Sequence, residues 1–225
     1  MARHQDDLDL LAKEHENIHT FTADLTILAQ RRALVEAVGD LDILVNNAGI
    51  GIYRNLEYIT EAQYRKMFEL NVFAPLDLTQ QFLPALRERK KAHIVNVGSL
   101  AGYVSFPPIT YYSMTKYALR AFSTGLRGEL KGSGITVALI TPGPVDTGFR
   151  SMAVTADDSR HYLRGHGVPA THVSGAVIRS IRRRHIPGYQ SISVPRIGGL
   201  ARLASLPFGD RIGATAGRNY DLEGS

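Results

Sequence analysis

Tyr112 and Lys116 are the residues whose types and spacing suggest chemistry most directly. They lie four positions apart in a segment with helical periodicity, so both side chains leave the same face of the predicted helix. A tyrosine hydroxyl has a pKa of about 10 and is a poor acid–base catalyst at neutral pH, but a neighbouring ammonium group lowers that pKa toward the working range. The spacing alone also fits a surface tyrosine beside a solvated lysine, so other residues must support the catalytic interpretation.

Polar or glycine-containing turns follow three of the predicted strands. Asn46-Asn47-Ala48-Gly49 and Thr141-Pro142-Gly143 each end an apolar run. Ser99, thirteen residues before Tyr112, follows a third apolar run directly. Because ligands bind outside the carboxyl ends of the strands in a parallel sheet, these turns are expected to converge on one rim with the Tyr-Lys pair.

The elements that must position these residues alternate between short apolar runs and longer helical patterns. Predicted helices span Gln5–Glu14, the segment ending at Val38 before Gly39, Thr60–Arg89 with an interruption near Asn71–Ala74 before Pro75, Tyr112–Leu130, and the segment beginning at Thr171. Predicted strands span Ile18–Ala23, Leu41–Asn46, Ile94–Val97, Ile135–Ile140 and Ser191–Val194. Thr60 and Gln63 have the spacing of a capping box. Such alternation predicts an α/β fold with a parallel sheet, in one domain over residues 1–225.

Composition limits the class of protein to which the chain can belong. Of its 225 residues, 44% are hydrophobic and 21% are charged, which is typical of a globular domain and excludes disordered and fibrous classes. Cysteine is absent, which excludes a disulfide framework, a thiolate metal site and a cysteine nucleophile. No run of about 18 apolar residues occurs, and the first residues are charged where a signal peptide is apolar. We therefore expect no membrane span and a cytoplasmic location.

The net charge of +5 raises the alternative of a nucleic-acid-binding protein. The one tight basic cluster is Arg182–Arg184, at the end of a predicted amphipathic helix whose apolar face includes Val173, Val177 and Ile181. Cations are favoured at that end of a helix by its dipole. The cluster is therefore interpreted as a solvated helix end, and no nucleic-acid partner is expected.

The joint order and spacing of these motifs resembles the short-chain dehydrogenase/reductase family, in its single-domain branch. The resemblance extends from about Ala2 to about Ile186. The segments that match are Asp24-Leu25, Asn46-Asn47-Ala48-Gly49, Asn71, Ser99, Tyr112-Ser113-Met114-Thr115-Lys116 and Pro142-Gly143-Pro144-Val145-Asp146-Thr147. It implies a Rossmann-like parallel sheet with helices on both faces. It also implies an NAD(P)-dependent oxidoreductase that interconverts an alcohol and a ketone or aldehyde.

The resemblance implies a role for each of four catalytic residues. Tyr112 would exchange a proton with the substrate oxygen, and Ser99 would hydrogen bond to that oxygen. Lys116 would lower the pKa of Tyr112 and bind the nicotinamide ribose, while Asn71 would support a water molecule that connects Lys116 to solvent. Because the cofactor supplies the hydride, no metal is expected.

A larger set of residues would bind the cofactor, which is expected to be NADP or NAD. These residues are Arg3, Asp24, Leu25, Asn47, Ala48, Gly49, Tyr112, Lys116, Pro142, Gly143, Val145 and Thr147. Val145 and Thr147 would contact the carboxamide. Arg3 resembles the basic residue that meets the 2′-phosphate in NADP-dependent relatives, which favours NADP.

The same resemblance gives expectations about the substrate and about assembly. Residues 148–170 would form a lid, and Tyr103, Phe106 and Pro107 would line a partly apolar pocket for a small alcohol or carbonyl compound. The helices around Leu76–Arg89 and Tyr112–Leu130 would pair across a homodimer or homotetramer interface.

The sequence departs from the family pattern at its N-terminus. The family's first strand, glycine-rich phosphate-binding turn and first helix have no counterpart, so the fold is expected to be N-terminally truncated and incomplete. The strand at Ile18–Ala23 would then lose its neighbour, and Leu41–Asn46 would become an edge strand. We expect this chain to bind dinucleotide poorly or not at all. The alternative to an enzyme is a catalytically inactive remnant or interaction module of the same fold.

Overall fold

The computed structural model describes residues 5–147, 149, 154–155, 167–184 and 191–194. Its helices are α1 (Gln5–Glu14), α2 (Leu28–Val38), α3 (Glu61–Phe68), α4 (Ala74–Arg87), α5 (Thr110–Glu129) and α6 (Ala170–Arg182). Its strands are β1 (Ile43–Asn46), β2 (Ile52–Tyr53), β3 (Ala92–Val97), β4 (Ile135–Pro142), β5 (Val145–Asp146), β6 (Val154–Thr155), β7 (Val168–Pro169) and β8 (Ser191–Val194). A π turn spans Glu69–Phe73 and a 3₁₀ turn spans Leu100–Gly102. None of these described helices combines the length and apolar character that crossing a membrane requires.

Four strands form the central parallel sheet, in the order β1-β3-β4-β8. The register pairs Asn46 with Asn96 and Val97 with Ile140, so the carboxyl ends of β1, β3 and β4 lie at one edge of the sheet. We call this edge the carboxyl rim. The turns that the sequence predicts to converge all leave strands at this rim.

Apolar side chains cover both faces of the sheet, because successive side chains along a strand point to opposite faces. On one face Ile94 and Val137 pack with residues of α2, α4 and α5, among them Leu34, Leu78, Phe82, Leu86 and Leu126. On the other face Val95 and Ile140 pack with Ala176 of α6. The expected Rossmann-like arrangement, with helices on both faces, is confirmed.

The sheet differs from the prediction beyond β1. The predicted strand over Ile18–Ala23 does not form, and its backbone has a single isolated bridge at Thr22. A strand needs a neighbouring backbone to exchange hydrogen bonds with, and no described strand lies outside β1 in the sheet order. Phe21 and Leu25 pack into the same apolar cluster as Leu44 instead. β1 is the edge strand of the described sheet, as predicted.

The long helical pattern that begins at Thr60 is divided into α3, the π turn and α4. The predicted capping box is present: the Thr60 hydroxyl accepts from Gln63 N, and Gln63 Oε1 accepts from Thr60 N. Pro75 has no backbone N–H, and directly before it the helical hydrogen bonds widen from α to π spacing over Glu69–Phe73. The predicted interruption is confirmed, as a π turn that contains Asn71.

The basic cluster at Arg182–Arg184 ends α6, as predicted. Val177 and Ile181 of this helix pack toward the sheet. Arg184 Nη1 donates a 2.8 Å hydrogen bond to Ile181 O, so this arginine satisfies a carbonyl at the helix end.

Candidate active site

Tyr112 and Lys116 lie on one face of α5, as their spacing predicts. Both are buried, with 8% and 5% of their surfaces exposed. Lys116 Nζ lies 5.7 Å from the centroid of the Tyr112 ring and donates a 3.2 Å hydrogen bond to Val97 O. The Lys116 ammonium therefore lies between the Tyr112 ring on α5 and the carboxyl end of β3.

Ser99 is placed beside Tyr112 by the 3₁₀ turn that follows β3. Its hydroxyl accepts from Ala101 N at 3.1 Å, which starts this turn, and its side chain is hydrogen bonded with Tyr112. Gly102 lets the turn pack directly on α5, since a Cβ at this position would lie 2.7 Å from Lys116 O. The structure thus brings together Ser99, Tyr112 and Lys116 at the carboxyl rim.

Asn71 connects the π turn to the loop after β1 and to α5. Its Oδ1 accepts from Ile50 N at 2.9 Å, while its Nδ2 donates to Ile50 O at 2.9 Å and to Thr115 Oγ1 at 3.1 Å. The side chain is 1% exposed. Asn71 therefore fixes the loop that follows Asn47-Ala48-Gly49 against the helix that carries Tyr112 and Lys116.

The pKa of Tyr112 differs in direction from the sequence expectation. Burial raises the pKa of its hydroxyl, and the neighbouring Tyr53 raises it further, while the hydrogen bond with Ser99 acts to lower it. The net shift of the Tyr112 pKa is therefore upward rather than downward, because removal of the hydroxyl from water outweighs the favourable contacts. Burial lowers the pKa of Lys116 itself to about 8.

The residues around Lys116 fit the nicotinamide ribose that the family resemblance implies. An ammonium has three donors, and Val97 O is the one hydrogen-bond acceptor of Lys116 Nζ among the described residues. Gly49 leaves space next to it: a Cβ at this position would lie 3.1 Å from Asn71 Oδ1 and 3.6 Å from Lys116 Nζ. The remaining N–H donors of the Lys116 ammonium, next to the space that Gly49 leaves, suit a ligand with neighbouring hydroxyl groups.

The other rim residues lie where the turns predict. Asn47 and Ala48 are exposed directly after β1. Pro142 ends β4, and Gly143 and Val145 follow it half-buried. The Thr147 hydroxyl accepts a 3.3 Å hydrogen bond from Phe149 N. These residues form an accessible surface at the same rim as Lys116.

The second predicted cofactor segment, Asp24-Leu25, lies before α2. Asp24 Oδ1 accepts from Thr26 N at 2.9 Å and from Thr26 Oγ1 at 2.8 Å, which fixes the turn. The Leu25 side chain lies in the core, so a ligand contact here would come from its main chain. Arg3 lies outside the described residues, as does most of the predicted lid.

Two aromatic residues near Tyr112 were missed by the sequence analysis. Tyr53 lies edge-on to the Tyr112 ring with centroids 5.6 Å apart, and the Phe149 ring lies 6.0 Å from it. Their sequence positions, in short segments without helical or strand periodicity, gave no signal. Tyr103, expected to line the substrate pocket, is buried, and the Arg120 guanidinium lies 4.4 Å from its ring centroid.

Comparisons with known proteins show which family and which folds the chain is similar to. A family model described as short chain dehydrogenase matches residues 1–158. Dehydrogenase/reductase SDR family member 7B of Mus musculus is 39% identical over 136 residues, which are 60% of this chain and 42% of that protein. The closed form of serine dehydrogenase complexed with NADP+ has a TM-score of 0.76 at 27% identity, covering 85% of this chain and 82% of that one. A short chain dehydrogenase/reductase from Burkholderia phymatum in complex with NAD has a TM-score of 0.79 at 24% identity, covering 92% and 82%.

The chain belongs to the short-chain dehydrogenase/reductase family of oxidoreductases, which confirms the resemblance seen in the sequence. It spans about half the length of the curated relatives that it matches.

Proposed function

We propose that the protein containing this chain is an NAD(P)-dependent oxidoreductase that interconverts an alcohol and a ketone or aldehyde. The observation that supports this most strongly is the meeting of Ser99, Tyr112 and Lys116 at the carboxyl rim. The Ser99 and Tyr112 side chains are hydrogen bonded, and Lys116 Nζ lies 5.7 Å from the Tyr112 ring centroid. This set combines a proton carrier, an oxygen-binding hydroxyl and a buried cation.

Tyr112 is the group placed to move the proton. Its raised pKa keeps the hydroxyl protonated at neutral pH, so it can donate a proton to a substrate carbonyl oxygen. In the reverse direction the phenolate must take the alcohol proton, and both the Ser99 hydrogen bond and the Lys116 charge favour that form. A nicotinamide cofactor bound at this rim would supply or accept the hydride.

Ser99, Lys116 and Asn71 hold the other groups in place. The Ser99 hydroxyl can donate to the substrate oxygen and keep it beside Tyr112. The Lys116 ammonium, buried next to Gly49, would donate to the ribose hydroxyls. Asn71 positions the loop at Ile50 and, as the resemblance implies, would support the water through which Lys116 exchanges protons with solvent.

We assign NADP or NAD as the cofactor, because two of the similar solved structures hold these molecules. Asp24 and the main chain of Leu25 would hold the adenine end, and Arg3 favours the 2′-phosphate of NADP. At the nicotinamide end, the cofactor would be bound by residues of the carboxyl rim: Asn47, Ala48, Gly49, Pro142, Gly143, Val145 and Thr147.

The remaining expectations about the whole protein stay proposals. Residues 148–170 would cover a small alcohol or carbonyl substrate. A homodimer or homotetramer would use the faces of α4 and α5, where Leu76 and Met114 are apolar and 40% and 48% exposed, together with Phe73 of the preceding π turn, which is 50% exposed. The cytoplasmic location also stays a proposal.

The proposed reaction is tested by the ketone-dependent oxidation of NADPH or NADH, followed by absorbance at millimolar cofactor. We expect turnover by the wild-type chain and a loss of about a hundredfold in kcat/KM for Ser99→Ala, since one oxygen-binding donor is removed. Ser105→Ala, in the exposed part of the following loop, is the matched control and is expected to behave as wild type. Folded protein that shows no turnover with saturating cofactor would favour the non-catalytic alternative.

A further inference from the structure

The aromatic rings of Tyr53 and Phe149 lie beside the ring of Tyr112. Tyr53 approaches the Tyr112 ring edge-on at 5.6 Å with an interplanar angle of 73°, and Phe149 is tilted by 53° at 6.0 Å. Both are half-buried, whereas 8% of Tyr112 is exposed. Tyr53 and Phe149 are therefore partly exposed rings that lie against the nearly buried ring of Tyr112.

Tyr53 is held in this position by its own strand. β2 pairs in parallel with β6, and Ile52 packs in the apolar cluster that contains Tyr112. The hydroxyl end of the Tyr53 ring rests over Gly51, since a Cβ at that position would lie 3.0 Å from Tyr53 Cε1, Cζ and Oη. The ring is therefore fixed between the loop after β1 and the Tyr112 ring.

We propose that Tyr53 and Phe149 make the site selective for carbonyl compounds, or the matching alcohols, with a planar apolar group bonded directly to the reacting carbon. This rests on the proposed function, because it takes the Tyr112 hydroxyl as the partner of the substrate oxygen. A group on the carbonyl carbon then lies within a few bond lengths of Tyr112, against its two ring neighbours. Two aromatic rings in an edge-to-face or offset arrangement gain free energy beyond that of burying their area, and a saturated group lacks this additional gain.

Two ketones of the same skeleton test this selectivity. Acetophenone carries a flat ring, and cyclohexyl methyl ketone carries a saturated ring at the same position. Dissociation constants are measured by ligand-observed NMR, which requires no turnover. We expect the wild-type chain to bind acetophenone about tenfold more tightly, the equivalent of one good aromatic contact.

Substitutions assign the preference to the rings. Tyr53→Leu is expected to remove most of the preference by weakening acetophenone binding, with cyclohexyl methyl ketone changed by less than about twofold. Tyr53→Phe keeps the ring and is expected to keep the preference. If Tyr53→Leu does not fold, Phe149→Leu replaces it, and its affinities for the two ketones are compared in the same way. Tyr58→Leu, an exposed tyrosine later in the same loop, is the matched control and should match wild type.

The outcomes separate this inference from the proposed reaction. Equal affinity of the wild-type chain for the two ketones, or equal losses for both in Tyr53→Leu, would overturn the selectivity. A preference that depends on Tyr53, in a protein that shows no ketone-dependent oxidation of NADPH, would support the selectivity and contradict the proposed redox reaction.

Discussion

Arg31 is the buried charge whose removal should have the largest effect on stability. Its side chain is 6% exposed, and its guanidinium donates to Leu25 O at 2.6 Å, Glu69 Oε1 at 2.8 Å and Asp77 Oδ2 at 2.6 Å. These acceptors lie in the turn before α2, in the π turn and in α4. One guanidinium thus connects the candidate adenine segment with the element that contains Asn71.

Arg31→Met keeps most of the side-chain volume but takes one donor from each of two carboxylates and a carbonyl, and Asp77 Oδ2 then keeps only its hydrogen bond from Gln81 Nε2. Breaking a buried ion pair from one side costs about 3–5 kcal/mol, and the partial exposure of Glu69 (34%) and Asp77 (22%) places the expected loss near the lower end, about 3 kcal/mol. For a domain of this size that corresponds to a fall in Tm of about 6–12 °C.

Urea denaturation followed by circular dichroism measures this loss. The midpoint should shift while the slope stays unchanged. Arg65→Met is the matched control, since it removes the same charge from an ion pair with Glu61 whose side chains are 71% and 64% exposed. We expect the stability of the control to stay close to that of wild type, because solvent screens an exposed ion pair. A loss of unfolding free energy below about 1 kcal/mol for Arg31→Met, or a loss equal to that of Arg65→Met, would refute the claim. Arg31 would then not stabilise the fold through its buried ion pairs and hydrogen bonds.

Two further predictions concern other parts of the molecule. His93 is buried with a pKa of about 4 against an ordinary 6.5, so the unfolded chain gains a proton first on acidification. As the pH falls from 6.5 to 4, the unfolding free energy of wild type, measured by urea titration, should decrease by about 3 kcal/mol more than that of His93→Gln. Equal decreases in the two proteins would contradict this prediction. Gly102→Ala should cost about 2 kcal/mol through the clash with Lys116 O, while Gly128→Ala, with open space around it, should stabilise by about 0.5–1 kcal/mol.

The parts of the fold predicted correctly are those determined by local patterns. The helix predicted over Gln5–Glu14 and the short strand predicted at Ser191–Val194 have the bounds that the structure gives them. Capping-box chemistry at Thr60 and the missing N–H of Pro75 act within a few residues, so their consequences were readable. The candidate site was predicted because polar turns at strand ends meet on one rim whenever the strands are parallel.

The parts predicted wrongly depend on distant residues. Ile18–Ala23 has strand-like composition, but a strand needs a partner, and none lies beside it in the described sheet. The paired two-residue strands, such as β2 with β6, are too short to leave a periodic pattern. The direction of the Tyr112 pKa follows from burial, which depends on Tyr53 and Phe149, residues far from it along the chain.

The central claim is that the Tyr112 hydroxyl exchanges the proton with the substrate, and hydride transfer in Tyr112→Phe tests it most directly. Tyr111→Phe is the matched control, because it removes the adjacent hydroxyl from a ring that stacks on Tyr64. We predict that Tyr112→Phe lowers the rate of ketone reduction at saturating cofactor by about a thousandfold, with cofactor affinity largely unchanged and the control similar to wild type. A Tyr112→Phe variant that transfers hydride at a near-normal rate would contradict the account.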